Sequence, residues 1–243
     1  MKLVPIRTVV YLAAFALPAI AQAPVSLTRT SQEMSHVEVS VGAAAMEAGP
    51  GRGLENRMID LGLQSGLGPY AYPFTEPPNI IPGAFLQVNV AMTEHTMAGL
   101  LADVLETTTH GRTPDGLSVS ARANIKTRAF LASFRPTPWI KVEAGPAVMH
   151  RLLEFESTGI RIADDTIGWV AGADAKFARR PMTPEHPPWF GYVTAQYRGA
   201  PSLRVPPTSV PLYGSTRPHF VSWPAEHVRS SHWMIGLGFG FEI

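Results

Sequence analysis

Apolar and polar residues alternate along eight stretches of this chain, with the two-residue period of a β-strand that has one greasy face. The plainest is 233–243, where Trp233, Ile235, Leu237, Phe239, Phe241 and Ile243 share a face opposite Gly236, Gly238, Gly240 and Glu242. The first, 36–45, gathers Val37, Val39, Val41, Ala43 and Ala45, and the second, 84–92, opposes Leu86, Val88, Val90 and Met92 to Gln87 and Asn89. Only 93–96 separates the second strand from a third at 97–107, so these two predict a hairpin. The fourth, 117–134, sets Ser120, Arg122, Asn124, Lys126 and Arg128 against Val119, Ala121, Ala123, Ile125 and Thr127. In the fifth, 139–151, Lys141 and Glu143 oppose Ile140, Val142 and Ala144, and in the sixth, 167–177, Asp174 and Lys176 oppose Ile167, Trp169, Ala171, Ala173, Ala175 and Phe177. The seventh, 189–198, places Trp189, Gly191, Val193, Ala195 and Tyr197 opposite Phe190, Tyr192, Thr194, Gln196 and Arg198.

The connections fall into two sets. Those after the first, third, fifth and seventh strands are mostly the longer ones: 47–82, rich in Gly and Pro with room for a turn of helix or two extra strands; 110–116; the acidic 152–166; and the proline-rich 199–228. Those after the second, fourth and sixth are short or moderate. An even strand number with long connections on one side predicts an all-β, eight-stranded antiparallel up-and-down transmembrane β-barrel over 36–243, with both ends on the short-turn side.

Composition narrows the setting. Lys2 and Arg7 precede a largely apolar run from Thr8 to Leu17 and then small residues, the order of a secretory signal peptide with cleavage expected after Ala21. That leaves 22–35 as a polar periplasmic lead-in. Loss of Lys2 and Arg7 takes the formal charge from +1 to −1, so no nucleic-acid partner is expected. The absence of cysteine excludes disulfides and a lipoprotein anchor. After the signal no run of eighteen apolar residues exists, so insertion into a membrane must be by strands.

The closing strand resembles that of small bacterial outer-membrane β-barrels, the porin-like family, with one departure in its terminal residue, Ile243, where an aromatic is usual. The resemblance implies that Gly238, Phe239, Phe241 and Ile243 act as an assembly signal. It implies as partners the barrel-assembly machinery, periplasmic chaperones, outer-membrane lipid and lipopolysaccharide, and it implies residence in the outer membrane.

Alternation alone also fits a soluble lipocalin-like carrier with its apolar face inward. Trp189 and Tyr197 argue for lipid: eight residues apart, they bracket an apolar stripe of roughly 27 Å along a strand, close to the apolar band of a membrane barrel once tilt is allowed for. With Trp139, Trp169 and Trp233 they are the expected aromatic girdle. The charged faces, expected to fill the lumen, collect Glu38, Asp103, Arg122, Lys126, Arg128, Lys141, Glu143, Asp174, Lys176, Arg198 and Glu242. Their signs nearly balance, which favours a salt-bridged interior over an ion path.

Catalysis and metal binding find little support. His219 and Ser222, or the adjacent Ser231 and His232, do not reproduce a hydrolase spacing, and no GxSxG elbow is present, so a lipid A-modifying enzyme is the rival reading and a non-enzyme the expectation. His110, His150, His219, His227 and His232 map to the outer end without metal-ligand spacing, so no cofactor is expected. The first prediction is that the protein fractionates with the outer membrane and migrates differently on gels before and after boiling. A soluble periplasmic pool with no mobility shift would turn the apolar face inward.

Overall fold

Each of the eight alternating stretches forms a strand, and the last pairs with the first. The computed structural model describes residues 37–47, 49–65, 80–156, 158–180, 188–214 and 216–242, so the expected signal peptide (1–21), the lead-in (22–35) and Ile243 lie outside the described residues. In chain order the elements are β1 (Val37–Glu47), α1 (Gly49–Asp60), β2 (Gln64–Ser65), β3 (Ile80–Ala91), β4 (Thr96–Arg112), β5 (Ser118–Thr137), β6 (Ile140–Phe155), β7 (Ile160–Arg180), β8 (Trp189–Gly199), β9 (Leu203–Val205), β10 (Thr208–Leu212), β11 (His219–Trp223), β12 (Glu226–Val228) and β13 (His232–Glu242).

The barrel runs β1-β3-β4-β5-β6-β7-β8-β13, every neighbour antiparallel, and closes where Glu38 faces Glu242 and Met46 faces Met234. Closure removes both sheet edges. The turns at 92–95 and 138–139, the connection after β7 and the terminal ends of β1 and β13 gather at one mouth.

Parity along each strand divides the residues. Ile167 (80% exposed), Leu100, Phe130, Val148, Ile235 and Leu237 point outward, while Glu38, Gln87, Asn89, Glu143, Arg198 and Glu242 are buried inside. An apolar exterior around a charged interior is the arrangement of a lipid-facing barrel and the reverse of a soluble carrier. The expected girdle residues occupy two rims. Trp169, Tyr197 and Trp233 form a contiguous row, with ring centroids 5.3 and 5.0 Å apart, at the long-loop side. Trp189 stacks near Phe239 at the other rim, at 5.5 Å, and Trp139 lies in the β5–β6 turn.

Two expected loops are strands. β4 to β7 have 17, 20, 16 and 21 residues, whereas β8 and β13 have 11 each, so four strands rise beyond the rest as a flange. The segment 152–166, read as a polar loop, is a hairpin in which Leu152 faces Ala163 and Phe155 faces Ile160, turning at Gly159 with φ of 73°. Its acids hid the alternation, and cross-strand ion pairs use them: Arg151 with Asp164 and Arg161 with Glu154. His110 to Arg112 likewise belong to β4.

The two longest connections fold against the flange. Gly and Pro in its first turn make α1 intrinsically poor, and burial of Leu54 and Met58, one turn apart, holds it in place. It ends at Gly62 (φ 79°), whose amide bonds the Ile59 carbonyl. In 203–228, β9 pairs with β12 and β10 with β11, one ribbon interrupted by Pro206, Pro207 and Pro224, which donate no ladder hydrogen bond. Leu54, Met58, Val119, Leu153, Phe155, Val205, Val210 and Trp223 make a second core above the barrel.

Inside, glycines of β13 make room for large rings. The ring of Phe190 lies against Gly240, that of Tyr192 against Gly238, and that of Phe85 against Gly236 and Gly42, each so close that a Cβ would collide. Replacing Gly238 with Val therefore has to displace Tyr192. The expected loss is at least about 1–3 kcal/mol, read as a lower urea midpoint in detergent; an unchanged midpoint would refute this packing.

Candidate functional site: the closed lumen and its outer cap

The interior polar side chains are joined in layers. At the short-turn mouth Lys176 Nζ reaches Glu38 (2.6 Å) and Glu242 (2.8 Å), Arg179 holds the other Glu242 oxygen (2.8 Å), and Arg135 pairs with Glu38. Next, Lys141 sits between Glu143 (3.0 Å) and Asp174 (2.8 Å). Glu143 also accepts from Gln87 (2.7 Å) and from Gln196. Phe190, Tyr192 and Phe85 cross this region, with Lys176 Nζ 3.9 Å above the Phe190 ring. Beyond them Arg198 grips one Asp103 oxygen with Nε (2.8 Å) and Nη2 (2.6 Å), both side chains fully buried. At the outer end Arg151 donates to Asp164 (2.7 Å), to Ser230 Oγ (3.0 Å) and to the Pro201 carbonyl, tying the barrel wall to the cap.

This interior is filled. A cavity of about 10 Å³ lies among Glu38, Arg135, Lys141, Asp174, Lys176 and Tyr192, room for roughly one water. Asp103 Oδ1, Thr127 Oγ1, Arg198 Nη1 and His232 Nε2 are buried without a hydrogen-bond partner among the described residues, the kind of group that buried water satisfies in folded proteins.

Of the expected lumen set, Glu38, Asp103, Lys141, Glu143, Asp174, Lys176, Arg198 and Glu242 point into the barrel. Arg122, Lys126 and Arg128 do not, which corrects their expected placement: Ala121, Ala123, Ile125, Thr127 and Ala129 take the inward positions of β5 and the three cations face outward. The reason lies in what each side of β5 meets. Above the lipid band the outside is water and the inside is the apolar cap, so the polarity of the strand inverts along its length. Three further cations pair with the interior acids: Arg135 and Arg151 from within the barrel wall and Arg179 from the exposed mouth. Arg135 and Arg151 are reached by counting in twos from Thr127 and Lys141, but Arg179 lies past a register shift at 176–178 that switches the inward face.

The outward face of the flange is mostly paired. Arg122 bonds Glu106 (2.5 Å), and that hydrogen bond holds its guanidinium above the ordinary arginine range. Arg161 pairs with Glu154 (2.7 Å), and His150 lies 2.9 Å from Asp165. Arg57 of α1 bonds Glu226 (3.2 Å), which also accepts from Trp223 Nε1 (3.0 Å), latching the helix to the ribbon. Exposed on the cap are Arg204, Arg217, His219, Phe220 and His227.

Among the described residues no hydrogen bond joins a serine hydroxyl to a histidine ring, and Ser120, opposite His110 across β4 and β5, donates to Glu156 (2.7 Å). Ser231 Oγ bonds the Ala200 carbonyl (2.8 Å), and His232 is buried with Nδ1 donating to the Ser230 carbonyl (2.9 Å). Among the described residues no three His, Asp or Glu side chains converge as a metal site. Gly238 faces inward, Phe239 and Phe241 outward.

No family model matches the chain, and no curated protein matches it. Among solved structures it is similar to two crystal structures of Ail, the attachment invasion locus protein of Yersinia pestis. Both are 12% identical and cover 86% of this chain and 99% of that one, with TM-scores of 0.41 for Ail alone and 0.39 for its complex with the heparin analogue sucrose octasulfate.

The fully buried Asp103–Arg198 pair sets a stability expectation. Arg198→Met alone strands a buried carboxylate and is expected to cost about 3–5 kcal/mol, whereas Asp103→Leu combined with it regains most of the loss. Urea unfolding in detergent checks this; a double variant no better than the single one would contradict a pairing role.

Proposed function

We propose that the chain is an outer-membrane β-barrel with a surface-interaction role, whose working surface is the folded outer end rather than the lumen. One observation carries this reading: a second core roofs a barrel already filled with paired side chains, and the roof presents cations. The segment 200–231 has Arg204, Arg217 and Arg229 with a single acid, Glu226, which Arg57 and Trp223 engage; Arg229 pairs with Glu47 (3.1 Å), and Arg204 and Arg217 are exposed on the surface. An outward surface of that sign suits an anionic polymer of a cell surface, lipopolysaccharide included. The same reading makes β13 the strand that engages the barrel-assembly machinery after periplasmic chaperones deliver the chain. It assigns no catalysis.

The test is retention of the detergent-folded protein on an immobilised sulfated polysaccharide. Salt-reversible binding is expected, weakened by Arg204→Gln with Arg217→Gln, while planar bilayers show no stepped conductance and lipid A mass is unchanged by the protein. Binding indifferent to both substitutions would remove the cationic cap from the account. Discrete conductance steps would restore a pore, and an altered acyl count an enzyme.

A further inference from the structure

The outward cations of β5 end where the lipid-facing residues begin. Down that face the order is Ser120, Arg122, Asn124, Lys126 and Arg128, then Phe130, Ala132 and Phe134. Across the sheet Arg128 is level with Val148 and Ile167, and Ile167 is one outward position beyond Trp169 of the aromatic rim. Arg128 therefore stands one step outside the girdle, at the depth of lipid headgroups in the outward leaflet.

The acids nearby are already engaged. Glu106 takes Arg122 and Asn124, Glu154 takes Arg161, and Asp165 faces His150, the cross-strand neighbour of Lys126. Lys126 and Arg128 have no ion pair or hydrogen bond among the described residues, and both side chains are exposed. Two residues apart on one strand face, they stand roughly 7 Å from each other, so one phosphate group can be reached by both. Arginine supplies a planar fork for phosphate oxygens and lysine a mobile point charge.

We infer that Lys126 and Arg128 form a clamp for a lipid phosphate at the outer rim of the barrel, and that its ligand is the phosphorylated sugar of lipid A. The commitment to lipid A rests on the outer-membrane placement proposed above. In that membrane the leaflet next to the long-loop rim is the one that carries phosphorylated glycolipid. Both cations lie on the lipid side of the flange, away from the cap, so the clamp is separate from the polymer-binding surface.

The experiment places the full-length mature barrel in phosphatidylcholine nanodiscs and titrates in bisphosphorylated lipid A. Lys126→Gln with Arg128→Gln should weaken binding by about tenfold or more, since each cation near a charged lipid surface contributes appreciably. Arg122→Gln, whose cation already has Glu106, should leave binding unchanged, and dephosphorylated lipid A should bind the unaltered protein no better than it binds the double variant. The unboiled gel mobility of each variant confirms that the barrel is intact. Equal binding by the double variant, or equal competition from phosphatidylglycerol, would overturn the clamp. A chain that does not insert into lipid overturns the placement as well, and that failure is seen before any lipid A is added.

Discussion

An ion moved from water into the interior of a narrow barrel must meet its opposite within hydrogen-bond reach, because its desolvation costs several kcal/mol that only a close partner offsets. The inward faces here satisfy that demand. Glu38, Asp103, Glu143, Asp164, Asp174 and Glu242 are matched by Arg135, Lys141, Arg151, Lys176, Arg179 and Arg198, and each carboxylate touches at least one of these cations. Because partners such as Asp103 and Arg198 come from strands far apart in the chain, the pairs also hold the register. A slip of one residue on β8 would turn Arg198 into lipid and Tyr197 into the lumen.

The outer end rests on different forces. Where the flange rises past the lipid there is water outside, and the strands have no neighbour across a lumen. α1 and the proline-broken ribbon supply one, burying Trp223 edge-on to Phe155 with ring centroids 4.9 Å apart. The barrel thus has two cores in series, one in which ion pairs are interleaved with apolar side chains such as Met46, Leu101, Leu131 and Met149 and one hydrophobic, joined at Arg151, which bonds Asp164 of the wall, Ser230 and the Pro201 carbonyl.

Much of the membrane part was legible because alternation there has a single meaning: one face sees hydrocarbon, the other its partners. All eight strands could be located, and Trp189 and Tyr197 mark the two ends of β8. The outer third was harder for a physical reason. Arg122, Lys126 and Arg128 alternate as cleanly as Lys141 and Glu143 do, but the environments on the two sides of β5 have changed places, and period alone does not report which side is wet. The hairpin at 152–166 was obscured by its acids, whose cation partners lie across a strand or further along the chain. The bulge near Lys176 hid Arg179 by shifting the inward face one residue.

The inner face of β13 between Met234 and Glu242 offers only Gly236, Gly238 and Gly240, and the bulk beside them comes from Phe85 on β3 and from Phe190 and Tyr192 on β8. Over that stretch the strand that completes the ring carries no knob that must be threaded past side chains already seated; its bulky inward groups, Met234 and Glu242, stand at the two ends. It can zip onto β1 and β8 along a smooth flank, with the interior jigsaw assembled before the circle is joined.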